Sequence, residues 1–317
     1  MTREESKMMQ GVAILLMIFY HLFNTHVTNE YQGTIIGNLA MANNPVPFYV
    51  FLSGYGLYCV YQTGKDKNKY KRCFRLYLHY WIITAIFIII SLILQTREYD
   101  FSFTNITKNV VGISTDYYAS AWFILPYIIL SIGCSVIFNF IDKCNIGFTL
   151  IASYLLYLMA AYMNRYEFFS NNVCQVFYIQ FSFILGAIIA KYGVISRLRE
   201  RMKTLPSYLL IVLLALLIVI RYFIHTGAVI TFYATAFICL AVIMKKAKWI
   251  ERCLLSLGKA SLNMWMIHTW IFSYLFSKEI YGIGNPILMF TIVTAVSFLL
   301  SKLFDVVLHP ITRTLLR

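Results

Sequence analysis

Apolar residues come in long runs along this chain, broken by short polar or basic stretches, and the length of the runs decides what they form. A bilayer core about 30 Å thick takes roughly 20 apolar residues as a helix, within a range of about 17 to 25. Runs of that order begin near Met8, Val46, Leu76, Ser120, Gly147, Val173, Ser207, Ala228, Ser261 and Pro286. The pattern predicts an all-α polytopic membrane protein, a bundle of about ten transmembrane helices making a single integral-membrane domain over residues 1–317. The longest connection, residues 96–119, is too short to be a catalytic domain of its own, so the chemistry is expected within the membrane. The first run follows a charged start, as in a signal peptide, but ends in Tyr20–Asn24 with no small-residue cleavage site, and is expected to stay attached as the first span.

Composition agrees. Of 317 residues 60% are hydrophobic and 13% charged, against about 25% charged in soluble domains, and the mean hydropathy is +0.70. Disorder, collagen-like repeats and disulfide-stapled scaffolds are excluded. A net charge of +14 would suggest nucleic acid in a soluble chain; here its distribution gives it another meaning. With the N-terminus placed in the cytoplasm, 22 of the 27 Lys and Arg residues fall at cytoplasmic ends or loops, among them Lys65, Lys67, Lys69, Lys191, Lys245 and Arg317. Only Arg97, Lys108, Arg165 and Lys278 lie outside, and Arg221 sits within the seventh run. Alternate loops follow the positive-inside rule, which predicts cytoplasmic N- and C-termini, a multi-pass location in the plasma (inner) membrane, membrane lipids as partners and no nucleic acid. The seven cysteines (Cys59, Cys73, Cys134, Cys144, Cys174, Cys239, Cys253) show neither C-x-x-C nor metal-ligand spacing; they read as buried thiols, with no metal site.

Polar groups at membrane depth are costly and mark function by default. Gln10 and His21 are 11 residues apart, three turns plus about 20°, so they share one helix stripe with about 16 Å between them. Asn24 and Thr25 extend the stripe outward. Imidazole titrates near 6.5, which suits a general base; the competing reading is a histidine hydrogen-bonded to a neighbouring helix. Arg72 and Arg75, at i and i+3 where the third run begins, share a face and offer two guanidinium forks to phosphates, beside a purely topological reading. Lys71 and His79 stand next to them, each with a structural alternative. Ser53-Gly54-Tyr55-Gly56 lies inside an apolar helix and is no phosphate loop; close helix packing competes with a place on a substrate passage. His268, midway along the ninth run, either orients an acceptor or holds a helix contact. Arg221 and His225 face an acceptor cavity or snorkel outward, Asp305 and His309 read as a structural i, i+4 pair, and Trp122 opens the fourth run at the aromatic belt. No H-E-x-x-H, Gly-Lys-Ser/Thr loop or G-x-S-x-G elbow is present, so metalloprotease, P-loop and serine-hydrolase chemistries lack their minimum parts.

Five segments appear in one order: Gln-Gly-Val-Ala-Ile-Leu-Leu-Met-Ile-Phe-Tyr-His (10–21), Phe-Tyr-Val-Phe-Leu-Ser-Gly-Tyr-Gly-Leu-Tyr (48–58), Lys-Arg-Cys-Phe-Arg-Leu-Tyr (71–77), Ala-Trp-Phe-Ile-Leu (121–125) and Ser-Leu-Asn-Met-Trp-Met-Ile-His (261–268). In this order they resemble the membrane-bound acyltransferase family 3, and the resemblance covers almost the whole chain. It implies a ten-helix enzyme that moves an acyl group, usually acetyl, from cytoplasmic acyl-CoA to a hydroxyl of a cell-surface saccharide, with acyl-CoA a co-substrate and no tightly bound cofactor. It further implies His21 as general base, Arg72 and Arg75 as acyl-CoA-binding residues, and Trp122 and His268 as acceptor or cavity lining; on the residue reading alone Lys71 joins the acyl-CoA-binding set and Ser53 and Arg221 the cavity lining. One departure stands out: the family's first helix has a basic residue where this chain has Gln10, and Lys7 lies one turn earlier. The rival class is a transporter or flippase for a lipid-linked saccharide or other polar solute, against which the two halves show no repeat. A receptor or structural protein leaves the His21 stripe without a use. The outer loops expected to choose the acceptor (25–45, 96–119, 164–172 and 278–285) carry no recognisable motif. The enzyme reading requires a void joining His21 to the Arg72–Arg75 pair.

Overall fold

In hydrocarbon a backbone amide or carbonyl has no water to bond, so a spanning segment must satisfy its own ladder, and a helix does so within one segment. The computed structural model of the chain follows this rule: it describes residues 1–24, 29–64, 69–165, 172, 175–224 and 226–315, and among these the regular structure is helical with no strand. The expectations that involve Thr25, Lys65, Lys67, Cys174, His225 and Arg317 fall outside the described residues, as do the side chain of Arg165 and most of the 164–172 loop.

Fourteen α-helices run in chain order among the described residues: α1 (Arg3–Phe23), α2 (Ile35–Ala42), α3 (Val46–Gln62), α4 (Lys69–Ile93), α5 (Phe103–Val111), α6 (Ile124–Lys143), α7 (Ile146–Arg165), α8 (Gln175–Lys191), α9 (Val194–Arg201), α10 (Ser207–Phe223), α11 (Ile230–Ile243), α12 (Lys248–Thr269), α13 (Ser277–Tyr281) and α14 (Pro286–Leu315). Each of the ten apolar runs falls on one of them. Five stretches are long and apolar enough to cross a membrane: Arg3–Phe23, Lys69–Ile93, Ala119–Lys143, Ile146–Met163 and Pro286–Thr312. The count becomes six if Gln175–Lys191 and Val194–Arg201, bent by 61°, act as one. The sequence pattern predicts ten transmembrane helices; among the described residues five or six pass by length and composition. Helices α3, α10 and α11 hold 17, 17 and 14 residues, and α12 starts in a charged turn containing Lys248, Glu251 and Arg252.

Local chemistry sets the ends. Thr2 accepts from the Glu5 amide while the Glu5 carboxylate accepts from the Thr2 amide, a capping box that starts α1. Pro45 and Pro47 open α3 and Pro286 opens α14, where a missing N–H is harmless. Gly112 closes α5 at φ +86°, a left-handed cap that suits glycine.

Two close crossings organise the bundle. A Cβ on Gly54 would overlap the carbonyl of Phe183, and one on Gly186 the carbonyl of Phe51, so α3 and α8 pack backbone to backbone. Gly11 meets Leu254 and Gly258 meets Lys7 in the same way, joining α1 to α12. The Ser53–Gly56 segment is therefore a packing element at Gly54, with Gly56 in open space. Buried hydrogen bonds tie further helices, as between Ser153 and Gln180 (2.5 Å) and between Ser182 and Thr231 (2.8 Å). In a third network His79 of α4 donates through Nδ1 to Asn263 Oδ1 (2.7 Å), and the Asn263 amide donates to Asp305 (2.8 Å). Asp305 thereby serves an interhelical contact to α12. The outward faces keep large apolar side chains, with Val136 75% and Ile287 79% exposed, as expected of surface meant for lipid tails. Cys73, Cys134 and Cys239 are buried as anticipated; Cys59 and Cys253 are exposed, which corrects the expectation for those two.

Candidate active site

The site grows from the α1–α12 crossing. Ten residues separate Gly11 from His21 on one helix and Gly258 from His268 on the other, an interval of about 15 Å on each. Because the glycines meet and the histidines meet, the two helices run parallel and in register. His21 Nδ1 lies 2.8 Å from His268 Nε2, and the two rings meet edge to edge, close to coplanar, with centroids 5.0 Å apart and planes at 20°.

The proton positions follow from what each partner is able to do. His268 Nδ1 lies 2.8 Å from the Trp265 carbonyl oxygen and 3.1 Å from that of Met264. Carbonyl oxygens only accept, so this nitrogen carries the hydrogen. In a neutral pair His268 Nε2 then holds a lone pair, His21 Nδ1 donates to it, and His21 Nε2 is left unprotonated. The Trp265 carbonyl also accepts from the Tyr118 hydroxyl, which in turn accepts from Thr269. Immediately beyond, residues Trp270–Leu275 widen into a π-helical turn, a feature that recurs at functional positions.

His21 lines a cavity of about 430 Å³, within the usual size range of small-molecule sites. On α1 the cavity wall includes both Lys7 and His21, so it follows that helix for about 21 Å. Arg72 and Arg75 line it from α4, Ser53 from α3, Lys259 from α12, and Trp122 and Ser120 from the turn before α6. The void that the enzyme reading requires is therefore present: His21 and the arginine pair open onto the same space. The lining holds four cations (Lys7, Arg72, Arg75 and Lys259) and, among the described residues, no Asp or Glu. The Lys7 ammonium donates to the Gln10 side-chain oxygen over 2.8 Å.

Other anticipated residues lie elsewhere or behave differently. His268 is fully buried and is not on the cavity wall; it stands behind His21 because the glycine crossing turns it toward α1. Arg221 is also buried away from this cavity, its guanidinium donating to the carbonyl of Ile224, since the α10 face that carries it packs inward. Lys71 is exposed and off the cavity wall, because neighbouring positions on a helix point in different directions. Ser53 does line the cavity, yet its hydroxyl donates to the carbonyl of Tyr49 (2.9 Å). Tyr49, Lys259 and Trp265 also stand on the cavity wall, although sequence reasoning assigns none of them a role; Tyr49 and Trp265 do fall within the 48–58 and 261–268 segments. Lys259 is absorbed into the positive-inside count, and two aromatic residues stand out little in a chain with 54 Phe, Tyr and Trp residues.

A second cavity of about 400 Å³ lies in the 97–117 segment, walled by Arg97, Asp100, Lys108, Asp116 and Tyr117 among others. Its Tyr117 is three residues from Ser120 of the first cavity, a separation of at most about 11 Å along the backbone.

Comparison with known proteins gives one match. The acyltransferase 3 family model, described as an acyltransferase domain, matches residues 4–306. No curated protein and no solved structure matches the chain. Since the match takes in the His21 helix, the arginine pair and the His268 helix together, this chain belongs to acyltransferase family 3 and is a membrane acyltransferase.

Proposed function

We propose that the chain moves an acyl group, acetyl in the first instance, from cytoplasmic acyl-CoA to a hydroxyl of an extracytoplasmic saccharide or cell-envelope glycan, in a bacterial plasma membrane. The observation that carries this is the single cavity whose wall, among the described residues, holds four cations and no carboxylate on one part and His21 on another. Polyphosphate suits such a lining: Arg72 and Arg75 offer forked donors, and Lys7 and Lys259 add point charges. The distance from Lys7 to His21 along α1, about 21 Å, is comparable with the reach of an extended pantetheine arm.

In the transfer step His21 Nε2 takes the acceptor's hydroxyl proton while the oxygen attacks the thioester carbonyl. The C–O bond forms, the C–S bond breaks, and the thiolate leaves with the proton that His21 returns. Cavity walls such as Met17, Leu76 and Leu262 keep bulk water from competing for the acyl group. Direct transfer is preferred over an acyl-serine because the Ser53 hydroxyl is engaged with a backbone carbonyl.

The test uses membranes containing the full chain, labelled acetyl-CoA and isolated envelope glycan. Alkali-labile label is expected on glycan, and His21→Ala should lower the rate by about 10²- to 10⁴-fold. Full activity in a correctly inserted His21→Ala protein would remove His21 from the reaction. Vesicles that move a saccharide across the bilayer while no acceptor ever gains label would favour a transporter.

A further inference from the structure

His268 is fully buried and off the wall of the His21 cavity, yet it forms the hydrogen bond that decides which nitrogen of His21 is basic. We propose that His268 is a positioning residue: it holds His21 in the tautomer and rotamer that present Nε2 as the base, and it steadies the imidazolium formed when that nitrogen takes a proton. This rests on the reading of His21 as the general base.

A neutral imidazole has two tautomers, and in a free side chain both are populated; a base that must be unprotonated at one nitrogen loses rate for every molecule holding the other form. The carbonyls of Trp265 and Met264 cannot donate, so they fix the hydrogen on His268 Nδ1, and that choice passes across the 2.8 Å bond to His21. The chain of dependence ends in the helix backbone, which has no alternative protonation state. The neighbouring Trp265 carbonyl is itself held by the Tyr118 hydroxyl, which Thr269 bonds in turn, so the reference point is rigid. During transfer the His21 ring gains a proton, and its Nδ1–H bond to His268 becomes charge-assisted and stronger. The near-coplanar rings, aligned nitrogen to nitrogen with 5.0 Å between centroids, already hold the geometry that this requires.

The experiment compares His268→Gln, His268→Phe and His268→Asn in the full-length protein in membranes. Glutamine places an oxygen near the former Nε2 and keeps an acceptor for His21; phenylalanine keeps the ring volume and removes the acceptor; asparagine is too short to reach. We expect His268→Phe and His268→Asn to lower kcat by about 10- to 100-fold with the KM for acetyl-CoA unchanged, and His268→Gln to recover most of the loss. In a His21→Ala background, His268→Phe should cost nothing further, since its effect runs through His21. Equal activity of the Gln and Phe variants, or a full additional loss in the His21→Ala background, would overturn the proposal. Should His268→Phe fail to insert, the comparison of Gln with Asn decides in the same way. An inactive His21→Ala protein together with a fully active His268→Phe protein rejects this inference alone; an active His21→Ala protein rejects the general-base reading beneath it.

Discussion

Lys7 and Gln10 show how a charge moves along a helix without leaving the site. The position that the family resemblance assigns to a basic residue holds a neutral amide, yet the amide oxygen accepts from the Lys7 ammonium one turn away, and both side chains line the cavity. A lysine four-carbon stem reaches that far, and the amide limits the rotamers over which the ammonium wanders. A charge-assisted hydrogen bond is worth about 1.5 to 3 kcal/mol, so Lys7→Ala should raise the KM for acyl-CoA by about 10- to 100-fold with little change in kcat. Steady-state kinetics at saturating acceptor measures this directly. Replacing both Arg72 and Arg75 should act on the same parameter and more strongly; an unchanged KM in that double variant would reduce the pair to topological signals. The Gln10 departure and Lys7 as its nearest substitute are both visible in the sequence, but the direction the lysine takes is not, because it depends on the space beside a long side chain.

At the scale of helices, the ten apolar runs and their order are legible from composition and run length, and each lies on a helix of the structure. What the runs do not reveal is which pairs of helices touch, and here the glycines decide. Gly11 against the α12 backbone and Gly258 against Lys7 leave no room for a methyl group, so helices α1 and α12 approach closely enough for their histidines to bond. Gly258→Ala should therefore separate the helices, lower thermal stability in detergent by about 1 to 3 kcal/mol, and reduce transfer activity although no catalytic group has changed. Gly56→Ala, facing open space two residues from Gly54, is the control and should be near neutral. Neither histidine announces its partner in sequence: 247 residues separate them, and an intramembrane histidine on its own reads equally well as base or as packing.

At the scale of the whole molecule, the basic residues that set the expected orientation also contribute to the cavity wall, so topology and donor binding use the same charges. Lys259 illustrates this, since it counts as a positive-inside residue and lines the cavity. Cys253 lies exposed in the basic first part of α12. In a variant that keeps Cys253 as its one cysteine, a membrane-impermeant maleimide should label the protein only after the cells are opened. Labelling of intact cells would invert the orientation and with it the side from which the donor enters. The charged 97–117 cavity, close to the first in chain distance, belongs to an outer loop in the expected topology. Substitutions at Asp116 or Lys108 should therefore alter the KM for glycan and leave that for acyl-CoA as it was.

The matched ten-residue intervals, Gly11 to His21 and Gly258 to His268, constrain how such a chain is able to diverge. Inserting one residue into either interval swings the histidine beyond it by about 100°, and no side-chain rotation on the partner helix repairs that. Length change is tolerable there only as near-whole turns made on both helices at once, about seven residues on each, so the two stretches are locked together like the teeth of a zip although most of the polypeptide lies between them.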